Sequence, residues 1–484
     1  MNDLAQMAAV DDSIAMQQIE MQRVFALQQE TALQWRHSTA KERIERIERL
    51  KAAVLENRED IYAALMADLR KPEAEADLAE IMVVVQDANA AIKHLKSWMK
   101  DVKVPATTAL AGTFSHIRYE PKGVCLIIAP WNFPVNLLLG PLISALAAGN
   151  TAILKPSELT PAVSQVMEDL IRKVFREDEV AIFQGAVETS TALLEMKFDH
   201  CFFTGSPQVG KIVMAACAKN LTSVTLELGG KSPTILDSSA NIKDAAGSIA
   251  MGKCSNAGQI CIAPDYMLIE SSVQQAFIDE FDAVVKKRLG ATAEAQQASP
   301  DYTRIINENH TLRIKGLIDD AVERGAKIAV GGHVDVADRF VQPTLLIDVP
   351  EGARILEEEI FGPVMPLIKW DNPQQALNHI NAGEKPLALY VYSKDEAQIK
   401  RMLSGTSSGD AAINTCLAQF LNHNLPFGGA NNSGIGKAHG PHGFKAFSHE
   451  RGVIRDRFAV TQLFAAPYTP FTAKLLKFAV RWLS

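Results

Sequence analysis

Cysteine is scarce: six residues among 484, at positions 125, 201, 217, 254, 261 and 416, with no CxxC pair. That distribution excludes a disulfide scaffold in a chain this long and points to a reducing compartment. A basic excess is missing too. With 49 Lys and Arg against 56 Asp and Glu, and a net charge of -7, the chain lacks the broad basic surface of a nucleic-acid binder. No secretory leader is visible, because "MNDLAQMAAVDDSIAMQQ" has acids where a leader needs bases, and no apolar core. An unbroken apolar span is also absent. The most apolar stretch, "VCLIIAPWNFPVNLLLGPLISALAAGNTAIL" (124–154), is interrupted by Pro130, Asn132, Pro134, Asn136 and Pro141, and reads as two buried elements rather than a membrane crossing. Repeats, low-complexity tracts and Ser/Gly-rich linkers are lacking. What remains is a cytoplasmic globular chain of two or three closely packed domains, with a cleft between them as the default ligand site.

Residues 13–70 read as helical. In "STAKERIERIERL", Thr39 and Glu42 form a capping box and Ile44, Ile47 and Leu50 repeat at helical spacing, until Pro72 stops the pattern. From residue 121 short β-rich runs alternate with helices: strands at 124–129, 151–155, 180–185 and 201–205, with a helix at 135–149. This rhythm predicts an α/β fold with a doubly wound parallel sheet of the Rossmann type. Near "LELGGKSP" (226–233) the chain leaves that sheet. A second α/β alternation then runs to about residue 400, with strands at "TILD" and "YMLIE" and helices at 241–255 and 272–288. Residues 405–450, rich in Gly, Asn and His, suit a loop-dominated segment bridging domains or subunits.

The GxGxxG fingerprint of dinucleotide binding is missing. "FFTGSPQVGKIV" has only Gly205 and Gly210, although Ser206 as N-cap and Pro207 at the first helical position would present a helix N-terminus to a pyrophosphate. A plain structural turn explains that string equally well. "LKPSE" says more, because it ends the second strand and sets Lys155 and Glu158 at the sheet edge where ligands bind. A carboxylate there can take both hydroxyls of a ribose and repel a 2′-phosphate, favouring NAD over NADP. The bland alternative is a solvated Lys–Glu pair.

Three strings place polar groups in apolar settings. Asn132 lies in "PWNFP", Glu227 in "TLELGG" and Cys261 in "NAGQICIAPD". Burial is costly for the amide and the acid unless each has a role or a partner. It would also raise the Glu227 pKa toward that of a base working near neutrality. "EEIFGP" adds Glu359 beside Phe361. Taken singly, a helix cap, a salt bridge, a solvated acid and an inert thiol are the plainer explanations. Together, a thiol, an amide donor, a buried base and a dinucleotide domain are the parts for oxidising an aldehyde through a thioester. Gly258-Gln259 would let the backbone approach the substrate, and Ala263-Pro264 would fix the exit.

"PWNFP", "KPSE", "FFTGSPQVG", "LELGGKSP", "NAGQICIAPDY", "EEIFGP" and "LPFGGANNSGIG", in this order over roughly residues 25–455, resemble the NAD(P)-dependent aldehyde dehydrogenase superfamily. The 34 positions between Glu227 and Cys261, and the wording "GQ-x-CIAPDY", are most similar to the class 3 branch of fatty and aromatic aldehyde dehydrogenases, bacterial alkane-pathway members included. The resemblance implies Cys261 as nucleophile, Glu227 as general base and Asn132 as oxyanion amide. It implies Lys155 and Glu158 at the adenosine ribose, Gly205 and Ser206 near the pyrophosphate, Glu359 at the nicotinamide ribose and Phe361 against the nicotinamide.

It also implies a Rossmann-type cofactor domain (25–100 and 121–229), an α/β catalytic domain (230–404) and small oligomerisation segments (101–120 and 405–455) in a homodimer. Residues 1–24 would extend beyond the usual start, and 456–484 would form a tail. Ile260 stands where Thr is more usual, which makes the wall beside the thiol greasier. A CoA-acylating relative would lack the water-activating acid, a thiol hydrolase would need a histidine partner in a recognisable motif, and a non-catalytic protein on this fold would have lost one of the three residues.

In "FTAKLLKFAVRWLS" (471–484), Phe471, Leu475, Phe478 and Trp482 share one helical face, and Lys474, Lys477 and Arg481 another. Such a helix can lie on an anionic membrane, close over an apolar channel or pack on its own dimer. His423, His439, His442 and His449 cluster late in the chain, but no Cys or carboxylate completes a metal-ligand set, so no metal is expected.

Overall fold

The computed structural model describes residues 2–459, 461–462 and 465–483, apart from the side chains of 2–14, 109, 482 and 483. The long helical reading resolves into three helices, α1 (Asn2–Trp35), α2 (Ala40–Glu56) and α3 (Arg58–Leu69). The Thr39–Glu42 capping box opens α2. α1 runs straight through residue 24, the expected start of the cofactor domain. Met21 and Val24 are buried with Leu126 and Ile153 of the first sheet, and the Gln28 amide donates to the Ala152 carbonyl at 3.0 Å. Residues 15–24 therefore belong to the packing of that sheet. A single turn, α4 (Glu73–Ala76), a π turn over Asp77–Ile81 and α5 (Met82–Trp98) follow.

β1 (Val102–Val104) pairs antiparallel with β2 (Thr113–Pro121). β3 (Val124–Ile128), β4 (Thr151–Lys155), β5 (Val180–Ile182), β6 (His200–Thr204) and β7 (Ser223–Glu227) then form a parallel sheet in the order β7-β6-β3-β4-β5. α6 (Asn136–Ala148), α7 (Pro161–Val174), α8 (Val187–Leu194) and α9 (Pro207–Ala218) are the crossovers. Every residue of β3, β4 and β6 is buried, the pattern of a parallel sheet covered on both faces. Gly149 ends α6 at φ +92, where a Cβ would stand 2.5 Å from the Arg43 guanidinium that caps the helix through the carbonyls of Ala147 and Ala148.

The second sheet contains β8 (Pro233–Leu236), β9 (Tyr266–Glu270), β10 (Lys327–Val330), β13 (Thr344–Ile347), β14 (Val364–Trp370), β15 (Ala388–Tyr392) and β16 (Asp410–Ile413). Its order is β10-β13-β14-β9-β8-β15-β16, parallel except for β10, and a two-stranded ribbon of β11 (Val334–Asp335) and β12 (Phe340–Val341) lies beside it. α10 (Ile242–Cys254) connects β8 to β9. The alternation thus extends past residue 404 to Ile413. The following chain is less loop-like than its composition implies: β17 (Gly434–Ile435) adds antiparallel to β7, and β18 (Ser448–Asp456) pairs with β2 along nine residues. Residues 405–455 therefore supply one strand to each of the three larger sheets. No helix of the described residues is long and apolar enough to cross a membrane.

Candidate active site

Three strands of the first sheet end at one edge. β7 ends on Glu227, β6 on Thr204 before Gly205-Ser206, and β4 on Lys155. This carboxyl edge is where doubly wound sheets take their ligands. Glu227 is buried, and among the described residues neither carboxylate oxygen has a hydrogen-bond partner. Among the described residues no salt bridge claims it, and the Lys437 ammonium donates to the carbonyls of Gly428 and Gly409 instead. Burial pushes the Glu227 carboxyl well above the usual carboxylate range; Lys437 pulls it down and Asp410 pushes it up.

Cys261 follows α10 through a strained turn in which Asn256, Ala257 and Gly258 have φ values of +48, +49 and +70. Only glycine fits at 258, where a Cβ would sit 2.4 Å from the Gly362 carbonyl oxygen. Gly258 thus brings the thiol loop against the loop of Glu359. Gln259 is a buried strut: its amide nitrogen donates to the carbonyls of Asn256 (2.9 Å) and Arg304 (3.0 Å), and its oxygen accepts the Ile306 N–H at 2.9 Å. Burial pushes the Cys261 thiol up to about 12; the charges of Glu359 and Glu227 add to this, and the N–H groups of Cys261 and Ile262 oppose it.

Asn132 is buried but caps no helix. Its amide donates to the Gln259 carbonyl at 3.0 Å, two residues before the thiol. Two cavities meet at Cys261. One, of about 200 Å³, is walled by Leu78, Val83, Phe133, Leu137, Ile260, Leu417 and Phe420, with the Cys416 thiol and Glu75 also on its lining. The other, of about 40 Å³, joins Cys261 to Glu227, Thr204 and Asn136, room for roughly a water molecule or two.

The remaining site residues lie along the sheet edge and the facing loop. Lys155 is buried, and its ammonium meets the half-exposed Glu158 at 2.8 Å, so this is not a fully solvated pair. Burial works upward on Glu158, but the Lys155 hydrogen bond, the Glu158 backbone N–H and the Lys155 charge together outweigh it and leave the carboxyl low. Ser206 caps α9 by accepting the Val209 N–H at 3.3 Å, as the sequence predicts. Glu359 lies across from them against Gly229, where a Cβ would stand 2.3 Å from its carboxylate. Burial and then Asp265 push Glu359 up to about 8, against the Gly230 N–H, Lys231 and Arg313.

Phe361, at φ +46, stacks edge-on against Trp131 with centroids 5.4 Å apart. Lys155 and Glu158 at the sheet edge, the N-terminus of α9 and Glu359 on the facing loop form a set of groups that could hold the two riboses and the pyrophosphate of a dinucleotide, and among the described residues the buried hydroxyl of Thr204 has no hydrogen-bond partner. The late histidines do not converge. His439 packs between Phe420 and Phe427 with Asp87 at 3.6 Å, and among the described residues no group of three His, Cys, Asp or Glu could hold a metal.

Residues 6–453 match the model of the aldehyde dehydrogenase family. The chain belongs to this family. A 4,4′-diaponeurosporen-aldehyde dehydrogenase of Staphylococcus aureus is 42% identical over 428 residues, covering 88% of this chain and 91% of its own. The dimeric NADP-preferring aldehyde dehydrogenase of Rattus norvegicus is 41% identical over 90% of this chain and 94% of its own. Among solved structures, Staphylococcus aureus AldH in its substrate-bound state superposes with a TM-score of 0.90 at 39% identity, covering 94% of this chain and 99% of that one. Matches at about 40% identity to family 3 members set this aldehyde dehydrogenase in a class 3-like branch, within a family that uses NAD or NADP.

Sequence reasoning missed the groups that hold the loops of Asp265 and Glu359. Lys231 spans Asp265 (2.5 Å) and the carbonyls of Ile355 and Glu358 (2.8 Å each), and Arg313 holds the carbonyls of Glu359 and Ile360. A lysine after "GG" inside a motif reads as a surface charge, and nothing local marks it as a clamp.

Proposed function

We propose that this enzyme oxidises apolar aldehydes, medium- or long-chain aliphatic and also aromatic, to carboxylic acids at Cys261, with NAD preferred to NADP. The supporting observation is the position of Cys261 between an apolar cavity and a small one ending on an unpartnered Glu227. The aldehyde lies in the apolar cavity with its carbonyl at the sulfur. Cys261 reacts as the thiolate, its proton given up to solvent, as sulfur bonds to the carbonyl carbon. The Asn132 N–H not used on Gln259, with the Cys261 backbone N–H, holds the oxyanion. A bound dinucleotide supplies the two-electron acceptor that leaves a thioester. Glu227 then takes a proton from the water that attacks this thioester, and the carboxylic acid departs from sulfur. Lys155 and Glu158 hold the adenosine ribose, Gly205 and Ser206 the pyrophosphate and Glu359 the nicotinamide ribose, with Phe361 beside the ring.

An aldehyde series from C3 to C16 with one aromatic member tests the substrate class. Each methylene removed from water is worth about 0.8 kcal/mol, so kcat/KM should rise roughly fourfold per methylene until the cavity is filled. A flat series, or one favouring C3, would refute an apolar substrate. Repeating the series on a chain ending at residue 469 tests the terminal helix, Pro470–Leu483, whose Phe471, Leu475 and Phe478 are exposed; the Trp482 side chain lies outside the described residues.

We assign that helix to an anionic membrane surface or the cavity mouth, so truncation should weaken vesicle co-sedimentation or flatten the long-chain end. If neither changes, the helix only packs on the protein. Exposed Val102, Val104, Phe114 and Ile454 on the β1-β2-β18 sheet support a homodimer, which light scattering of the same two chains reads directly.

Cofactor choice rests on Glu158, since the rat relative is named as NADP-preferring. Glu158→Gln removes the charge that would face a 2′-phosphate. The ratio of kcat/KM for NADP to that for NAD should rise about tenfold or more, by a like-charge contact worth roughly 1–2 kcal/mol. An unchanged ratio would put the discrimination elsewhere.

A further inference from the structure

The segment between α3 and α5 buries charge behind the loops of Asn132 and Cys261. Lys71 and Glu80 form a fully buried ion pair at 2.7 Å, and the lysine stacks over Phe133 of the apolar cavity at 4.4 Å. Such a pair gains little stability over an apolar replacement. Its remaining bonds therefore carry the information.

The Lys71 ammonium also donates to the Asn132 backbone carbonyl at 3.1 Å, and the second Glu80 oxygen accepts the N–H groups of Val135 (3.2 Å) and Asn136 (2.9 Å). One turn earlier, Glu75 accepts the backbone N–H of Asn256, the first residue of the strained turn before the thiol, and the Thr303 hydroxyl at 3.0 Å. The Asn256 amide closes the circuit. It donates to the same Asn132 carbonyl at 2.9 Å and to the Gln259 carbonyl at 3.1 Å, which the Asn132 amide also reaches. Burial pushes Glu75 and Glu80 up, and Lys71 pulls both back. The π turn over Asp77–Ile81 turns Glu80 inward beside Lys71.

We propose that Lys71, Glu75 and Glu80 are positioning residues for the acylation of Cys261. Acting through the backbones of the two loops, they set the Asn132 amide at the distance from the thiol that the oxyanion requires. The inference rests on the reading of Cys261 as nucleophile and Asn132 as oxyanion amide. A lock of this kind affects a reaction that needs both groups and spares one that needs the thiol alone.

Two reactions run without a dinucleotide make that separation. Acylation by p-nitrophenyl acetate needs the thiol and the amide, whereas alkylation by iodoacetamide needs only the thiol. In Lys71→Met/Glu80→Gln, which removes the pair without leaving a bare buried charge, acylation should fall about 10- to 100-fold and alkylation should stay within threefold. Glu75→Gln should show the same split with a smaller loss, and it carries the test if the double variant does not fold. Adding Asn132→Ala to either variant should slow acylation no further than Asn132→Ala alone, because the lock acts through that amide. Equal losses in the two reactions, unchanged acylation, or losses that multiply with Asn132→Ala would overturn the proposal. Persistent acylation in Cys261→Ala would instead overturn the nucleophile reading beneath it.

Discussion

Cys261→Ala is expected to abolish NADH formation, by on the order of 10⁴–10⁶-fold, while dinucleotide affinity measured by fluorescence titration stays within about twofold. The two readouts separate because the groups assigned to the adenosine ribose and the pyrophosphate, Lys155, Glu158 and Ser206, lie at or just after strand ends of the first sheet, and Cys261 lies after α10 beside the second. A thiol held near 12 is a minor thiolate species at neutral pH, so its alkylation in the unliganded enzyme should rise close to tenfold per pH unit between 7 and 9. The sign follows from burial, which favours the neutral thiol, and from two carboxylates that disfavour a third negative charge. Cys416 is the built-in control. It lines the same cavity, but its sulfur is hydrogen-bonded to the Ser248 carbonyl at 3.1 Å. A Cys261→Ala enzyme that still turns over, or still takes up one equivalent of iodoacetamide at the wild-type rate, would move the nucleophile to that second sulfur.

What could be read from the sequence follows a physical rule. Asn132, Glu227 and Cys261 each interrupt an apolar run, and polar atoms in such places are expensive enough to need a reason. The strands of the first sheet were readable for the same cause, since a sheet covered on both faces needs continuous apolar runs. Other features left no such trace. "KPEAEADLAEI" looks like a solvated helix start, yet Lys71 and Glu80 form a buried pair where a π turn carries Glu80 inward. Nothing near Gly258 in the sequence shows that it makes room for Gly362, on a loop a hundred residues downstream. Strands β16, β17 and β18 escape a local reading because β17 has two residues, and all three are defined by partners far away in sequence. α1 is continuous across residue 24 because Met21, Val24 and Gln28 repeat at helical spacing against the sheet, a periodicity masked by a polar outer face.

Glu227→Gln should divide the reaction in two. Acylation in this variant still has the thiol, the Asn132 amide and the cofactor edge, so stopped flow should show a burst approaching one NADH per site. Steady-state turnover should then fall by roughly 10²–10⁴-fold, the usual contribution of a general base. The trapped species is a thioester, and intact-protein mass should rise by that of the aldehyde less two hydrogens, on the peptide containing Cys261. The pH profile checks the same residue independently. Burial and Asp410 raise the Glu227 carboxyl and Lys437 only partly offsets them, so the wild-type steady state should lose activity toward acid as the base takes up its proton. That limb should vanish in the amide variant, which has no proton to gain. The argument depends on both oxygens of Glu227 being unpartnered beside a cavity of about 40 Å³, because a base already engaged in a salt bridge would be neither raised nor available to water. Normal turnover in Glu227→Gln, or an acid limb that survives the substitution, would assign water activation to another group on that cavity, and His439, which lines it opposite Asp87, would be the next to replace.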